Sequence, residues 1–230
     1  MSKHIGIVAC SAEGAALCYR TICMEARDEM GDHMHPEITM HTHPLGLYTP
    51  HFPRQDWQAV ADLMVSSAKH VASCGAEFAI SPDNTIHQAW DMVIAASPIP
   101  WLHIAEAVAL EAKARGMNKL AVLGTKFLMT GPVYPDMLDR YGIAHQIPDE
   151  AQRERINQVI FNELVYNDIR EVSRLYFNDV IADLKGQGCE GVVLGCTEIP
   201  LLVDPADCPL PTLDSTRLLA RYALRHSLTS

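Results

Sequence analysis

Short apolar runs that stop at glycine or at a small polar residue recur along the chain and predict the strands of a parallel sheet. Val192, Val193 and Leu194 form one continuous run, as expected for a buried strand. Gly195 and Cys196 follow directly, at the strand end where open α/β sheets bind ligands, and the glycine is predicted to let a ligand approach the backbone. The pattern predicts strands over residues 4–9, 37–41, 77–81, 119–123 and 191–194.

Longer stretches of mixed apolar and polar positions separate these runs and predict helices. Gly75 and Gly188 are expected to end two of them. The stretch 48–57, rich in proline and aromatic residues, is predicted to be a loop that covers a site. Strands alternating with helices indicate an α/β fold with mainly parallel sheets. The predicted helices are residues 15–30, 56–74, 150–167 and 169–187.

The second half of the chain repeats the order of the first. GIVACS from residue 6 matches LAVLGT from residue 120, CGAEFAISPDNTIH from 74 matches QGCEGVVLGCTEIP from 187, and IPWLHIA from 99 matches LPTLDST from 210. The three offsets are 114, 113 and 111. They predict two pseudo-symmetric α/β halves, with Asp83 at the position that Cys196 occupies in the other half. Chance similarity between short apolar strings is the alternative.

Composition narrows the class of protein. The formal charge of −10 argues against nucleic-acid backbones and anionic membranes as partners. Seven cysteines without CxxC spacing argue against a disulfide scaffold and for reduced thiols. No apolar run approaches the roughly 18 residues of a membrane span, and the first ten residues lack the apolar region of a signal peptide. These features predict a cytoplasmic protein, and the negative charge does not exclude an anionic small-molecule substrate.

Two strand ends facing one crevice suit a reaction in which one group removes a proton from a carbon and another delivers a proton to the opposite face. Asp83 and Cys196 are the candidates for those two groups. Hydroxyl, amide and backbone N–H donors nearby could hold a carboxylate whose charge grows during proton removal. The residues of suitable type are Ser11, Asn84, Thr85, Thr125 and Thr197.

Each candidate also has a purely structural interpretation. Cys196 could be a buried core thiol, and Asp83 could be the N-cap of the helix that follows it. Glu198 could orient a neighbouring group or be solvated. Lys126 and Arg54 could pair with a second substrate carboxylate or lie on the surface. The histidines of the stretch 33–43 permit chelation in principle, but a His-rich strand and loop describes them better, so no metal site is predicted.

These motifs resemble the aspartate/glutamate racemase family. The resemblance rests on GCTEIPLL (195–202), DNTIH (83–87), LGTK (123–126), SAE (11–13) and INQVIFNEL (156–164). It implies two three-layer α/β domains with the active site in the cleft between them, here residues 1–97 with 208–230 and residues 98–207. It also implies proton transfer on a small acidic amino acid without pyridoxal phosphate, metal or another cofactor, in a homodimer.

One position departs from the family pattern. Typical racemases of this kind have cysteine where this chain has Asp83, and a free carboxylate is a weaker base than a thiolate. The sequence therefore predicts an amino-acid racemase that uses Asp83 and Cys196. Two alternatives remain open: a one-base lyase, decarboxylase or isomerase of a small carboxylic acid, and a non-catalytic binding protein.

Overall fold

A computed structural model of the chain describes residues 2–229. Its strands are β1 (Ile5–Ala9), β2 (Ile38–Thr42), β3 (Phe78–Ile80), β4 (Trp101–Leu102), β5 (Lys119–Gly124), β6 (Ala144–Gln146), β7 (Gly191–Gly195) and β8 (Thr212–Asp214). Its α-helices are α1 (Ala12–Glu25), α2 (Arg27–Met30), α3 (Leu45–Tyr48), α4 (Trp57–Ser73), α5 (Trp90–Ala96), α6 (Ile104–Ala114), α7 (Lys126–Met129), α8 (Val133–Arg140), α9 (Glu150–Asn162), α10 (Glu171–Gly186), α11 (Ile199–Leu202) and α12 (Ser215–Ser227). Short 3₁₀ helices cover Phe52–Arg54, Thr85–Ala89 and Leu164–Tyr166. None of the helices within residues 2–229 is long and apolar enough to cross a membrane.

The chain forms two compact units. The first contains residues up to Ile104 together with those from Thr216 onward, and the second runs from Ala105 to Ser215. The predicted boundaries, after residues 97 and 207, fall a few residues too early. The reason is strand pairing: β4 pairs with β3 and so completes the first sheet, whereas β8 pairs with β7 and completes the second.

Both sheets are parallel and have the same strand order. It is β2-β1-β3-β4 in the first unit and β6-β5-β7-β8 in the second. Helices separate consecutive strands, as the crossover between parallel neighbours requires. All five residues of β1 and all five of β7 are buried, which fits their continuous apolar sequences. The predicted α/β class and the repeated design are confirmed.

The sheet register corrects one detail of the repeat. Ile7 pairs with Ile80 in the first unit, and Val122 pairs with Val193 in the second. The separations between equivalent residues are therefore 122 − 7 = 115 and 193 − 80 = 113, so the first offset is 115 in the sheet rather than 114. If the pairing of β1 with β3 is continued three residues beyond Ile7 and Ile80, Cys10 rather than Ser11 lies opposite Asp83.

Three predicted elements have different ends in the structure. The second strand is β2 and lies one residue later than predicted. The first long helix breaks at Ala26 into α1 and α2. The helix predicted over 150–167 ends at Asn162, because the buried Glu163 accepts a hydrogen bond from the Ser173 hydroxyl and a 3₁₀ turn follows.

Gly195 shows why glycine precedes Cys196. A Cβ at this position would lie 2.6 Å from the carbonyl oxygen of Leu123 and 2.7 Å from a methyl carbon of Leu128. Neither distance is compatible with ordinary packing, so the sheet itself requires glycine here. The close approach fixes the end of β7 against β5 and thereby positions the residue that follows.

Candidate active site

Asp83 in the first unit is held at the N-terminus of α1. One carboxylate oxygen accepts a hydrogen bond from the Cys10 N–H at 2.7 Å, and the other accepts from the Ser11 N–H at 3.3 Å. The residue is 8% exposed. Amide N–H groups and the positive end of a helix both favour a carboxylate in the ionised form. The predicted alternative, an N-cap of the following helix, is wrong: Asn84 is the cap residue there.

His87 forms a hydrogen bond with the backbone of Asp83. Its Nε2 accepts a hydrogen bond from the Ile104 N–H at 3.4 Å, so Nδ1 carries the proton and donates to the Asp83 carbonyl oxygen at 3.0 Å. Complete burial lowers the pKa of His87 to about 4. The imidazole is therefore neutral at pH 7 and keeps the Asp83 backbone in place.

The other predicted site residues of the first unit differ in burial and in the contacts that they make. Ser11 is the N-cap residue of α1, but its side chain makes no capping hydrogen bond, and the backbone N–H makes the contact with Asp83. Asn84 and Thr85 directly follow Asp83 in the chain. Both are buried, and they lie at the start of the 3₁₀ helix. Arg54 is exposed and ends a 3₁₀ helix.

In the second unit, Cys196 follows β7 and faces a carboxylate. Its thiol donates to Oε2 of Glu198 at 3.0 Å, and the Thr197 hydroxyl donates to the same oxygen at 2.6 Å. Thr197 and Glu198 are buried, at 4% and 5% exposure, whereas Cys196 is partly exposed. An accessible thiol with a buried carboxylate as its proton acceptor is arranged for proton transfer. This contact argues against Cys196 as a core thiol.

Thr125 and Lys126 follow the neighbouring strand at the same sheet edge. Gly124 pairs with Gly195, so Thr125 and Cys196 both directly follow paired residues. Thr125 is buried and caps α7, because its hydroxyl oxygen accepts from the Leu128 N–H at 3.2 Å. The Lys126 ammonium pairs with Glu154 at 3.1 Å, and both side chains are more than 40% exposed. Lys126 thus forms an ion pair at the surface.

Two histidines of the His-rich segment, His41 and His43, pack against α4. Nδ1 of His41 lies 2.9 Å from the Ser67 hydroxyl, and the His41 ring stacks on His70 with centroids 4.4 Å apart. Burial and these neighbouring rings lower the pKa of His41. Within residues 2–229, no group of three potential ligands is arranged to hold a metal ion.

Tyr48 is a candidate that the sequence reasoning did not single out. It ends α3, within the stretch predicted to be an irregular loop, and its side chain is fully buried. Among the described residues its hydroxyl has no hydrogen-bond partner. The sequence carries an aromatic-rich signal at this stretch, but it carries no sign of which aromatic residue would be buried with an unpaired hydroxyl.

Comparison with known proteins decides the family. The family described as Asp/Glu/hydantoin racemase matches residues 5–223, nearly the whole chain. The chain belongs to the Asp/Glu/hydantoin racemase family. Among curated relatives of this racemase chain, the broad specificity amino-acid racemase RacX of Bacillus subtilis strain 168 is 22% identical over 199 residues, covering 86% of this chain and 85% of that protein.

Solved structures agree with this assignment. A Yersinia pestis protein provisionally assigned as an Asp/Glu racemase is 31% identical, with a TM-score of 0.88 over 99% of this chain and 100% of that one. An aspartate racemase homologue from Pyrococcus horikoshii OT3 is 26% identical, with a TM-score of 0.83 over the whole of both chains. Glutamate racemase from Francisella tularensis, solved with D-glutamate, shares the fold at 14% identity and a TM-score of 0.68, over 96% of this chain and 79% of that one. As a member of this racemase family the chain is an isomerase, and the predicted family and amino-acid racemase activity are confirmed.

Proposed function

We propose that this racemase acts on aspartate, glutamate or a close acidic analogue, with Asp83 and Cys196 exchanging the α-proton from opposite faces. The observation that carries the proposal is the opposite hydrogen bonding of the two groups: the Asp83 carboxylate accepts from the N–H groups of Cys10 and Ser11, whereas the Cys196 thiol donates to the carboxylate of Glu198. One is ready to accept a proton and the other to release one.

The reaction follows from these two states. The Asp83 carboxylate takes the proton from Cα, and the C–H electron pair delocalises into the substrate carboxylate. The Cys196 thiol then delivers its proton to the other face of Cα and becomes a thiolate. Glu198 is the positioning residue for that thiol. Ser11, Asn84, Thr85, Thr125 and Thr197 are proposed carboxylate donors, and Arg54 and Lys126 are proposed partners of the second carboxylate. No cofactor or metal is needed for these steps.

Solvent exchange tests the proposal. The protein is incubated with L- and D-aspartate and L- and D-glutamate in deuterated water, and the α-proton signal is followed by NMR together with the enantiomer ratio. Exchange with inversion supports a two-base racemase. The absence of exchange for all four compounds would refute this substrate class.

A one-base lyase, decarboxylase or isomerase is the second candidate. It is favoured by the two N–H groups that hold the Asp83 carboxylate, because they make it a weaker proton acceptor than a free one. Exchange without inversion in the same experiment, or loss of a carboxyl group, would favour this alternative.

We also propose that the enzyme is a cytoplasmic homodimer. The seven cysteines are all free thiols, as expected for a reducing compartment. On the second unit, Tyr166, Ile169, Val172 and Leu175 expose between 44% and 75% of their surface near the start of α10, a group of apolar side chains that a second copy could cover. Light scattering at several protein concentrations tests the dimer, and a monomer throughout would contradict it.

A further inference from the structure

The hydroxyl of Tyr48 is buried without a partner. The side chain has no exposed surface, and no described residue forms a hydrogen bond with this hydroxyl. Ser67 is near enough to lower the tyrosine pKa somewhat, but its hydroxyl is in contact with His41 at 2.9 Å and does not reach Tyr48 in hydrogen-bonding geometry. An unpaired buried hydroxyl destabilises the folded protein, whereas phenylalanine would fill the same space without that cost.

Tyr48 belongs to α3, which begins at the sheet edge that carries Asp83. Thr42, the last residue of β2, pairs with Ala9, the last residue of β1, so α3 begins at the same edge as Cys10 and Ser11. Burial is the main cause that raises the Tyr48 pKa, and the charges of Cys10 and Asp83 raise it further. The phenol therefore keeps its proton and is available as a donor.

We propose that the Tyr48 hydroxyl donates a hydrogen bond to the carboxylate of the substrate from which Asp83 removes the proton. The assignment rests on the proposed function. Negative charge grows on that carboxylate as the carbanion forms, and a fixed donor in a buried site stabilises growing charge more than charge already present. Asp83 cannot take the hydroxyl's place as donor, because it is the proton acceptor. The Tyr48 hydroxyl thus contributes to the proton-removal step, whereas the ring packs in the core.

Tyr48→Phe separates these roles, and Tyr134→Phe is the matched control. Tyr134 is also a fully buried tyrosine, but its hydroxyl interacts with the side chain of Ser215. We expect Tyr48→Phe to lower kcat for α-proton exchange by about 10²-fold, to change KM little, and to leave the melting temperature equal to or above that of the wild type. Tyr134→Phe should lower the melting temperature.

Two results would overturn the assignment. One is an exchange rate in Tyr48→Phe within twofold of the wild type. The other is a fall in its melting temperature as large as that of Tyr134→Phe, which would mean that the hydroxyl has a partner within the protein. The wild type is measured first with the four amino acids. If it shows no exchange, the proposed function fails; if it exchanges normally and Tyr48→Phe does too, only the role of Tyr48 fails.

Discussion

The two units share one strand order, yet they hold their candidate catalytic groups in opposite ways. In the first unit, backbone N–H groups of Cys10 and Ser11 surround a carboxylate. In the second unit, the Cys196 thiol and the Thr197 hydroxyl both donate to one carboxylate oxygen of Glu198. The comparison teaches that a repeated scaffold does not make a symmetric pair of groups. Here the group of the first unit accepts hydrogen bonds, and the group of the second unit donates one.

The asymmetry predicts different saturating rates for the two enantiomers. In the proposed mechanism, one enantiomer reacts with ionised Asp83 and protonated Cys196. The opposite enantiomer requires protonated Asp83 and a Cys196 thiolate, a state that the hydrogen bonds at Asp83 disfavour. Because the equilibrium constant of racemisation is one, kcat/KM must be equal for the two enantiomers, so the asymmetry should appear as unequal kcat values with matching differences in KM.

Replacing Cys196, the proposed proton donor, should have the largest effect on α-proton exchange. Cys196→Ala should lower α-proton exchange by about 10⁴-fold, the upper range for loss of a general acid or base. Cys189→Ala is the control, because Cys189 is a buried thiol of the same unit that packs in the core. NMR in deuterated water measures both variants. Exchange that survives in Cys196→Ala would end the assignment of the thiol.

Replacing Asp83, the proposed proton acceptor, should have the second largest effect on α-proton exchange. Asp83→Asn keeps the shape but removes the base, and we expect a loss of about 10³-fold in exchange. Asp83→Cys makes the pair symmetric in type, so it should bring the kcat values of the two enantiomers, measured at saturating substrate, closer together. A kcat ratio in Asp83→Cys further from one than in the wild type would contradict the link between the carboxylate and the unequal kcat values.

The first unit should also carry a dependence of stability on pH. The pKa of His87 is about 4 in the folded protein and 6.5 in its reference state, so between these values the unfolded chain binds a proton that the folded chain does not. Stability is full above pH 6.5 and falls by about 3 kcal/mol as the pH drops to 4. Urea unfolding at pH 7, 5.5 and 4 measures the loss.

His87→Asn should remove most of that loss. The exposed His33 gives the control: its backbone is left-handed, with φ of 65°, a conformation that asparagine tolerates. His33→Asn should keep the pH dependence of the wild type. If the free energy of unfolding fell equally with pH in His87→Asn and in the wild type, another group would be responsible for the pH dependence.

The smallest expected effect is that of the carboxylate beside the thiol. Glu198→Gln keeps a hydrogen-bond acceptor but removes the negative charge, and we expect exchange to fall by about 10-fold. Alkylation of Cys196 by iodoacetamide at pH 7 should become faster, because a negative neighbour no longer opposes the thiolate. Mass spectrometry of the Cys196 peptide follows this reaction. Slower alkylation together with unchanged exchange would contradict the role of Glu198.

Much of the fold could be predicted because its signals are local. Continuous apolar runs predict buried parallel strands, and β1 and β7 were found within one residue of their predicted bounds. The equivalence of Asp83 and Cys196 came from matching sequence strings. The boundaries of the units were less accurate, because β4 and β8 are too short to show a pattern and their membership depends on pairing.

The contacts of the site could not be predicted, since they depend on residues far apart in the chain. Nothing near Asp83 in sequence indicates that its carboxylate would meet the N–H groups of Cys10 and Ser11, more than 70 residues away. The Cys196 contact with Glu198 is local, and the sequence identified the residue without the direction of the hydrogen bond. Lys126 has the expected charge but pairs with Glu154 instead.

The last helix has a consequence for synthesis of the protein. α12 belongs mostly to the first unit, where Arg221 forms two hydrogen bonds with Glu25 at 2.7 and 2.8 Å and the Ser227 carbonyl accepts from the Lys3 N–H. The ribosome therefore synthesises every residue of the second unit before it synthesises α12, which the first unit needs. The second unit can therefore fold before α12 has been synthesised, whereas the first unit cannot be completed until α12 has been made.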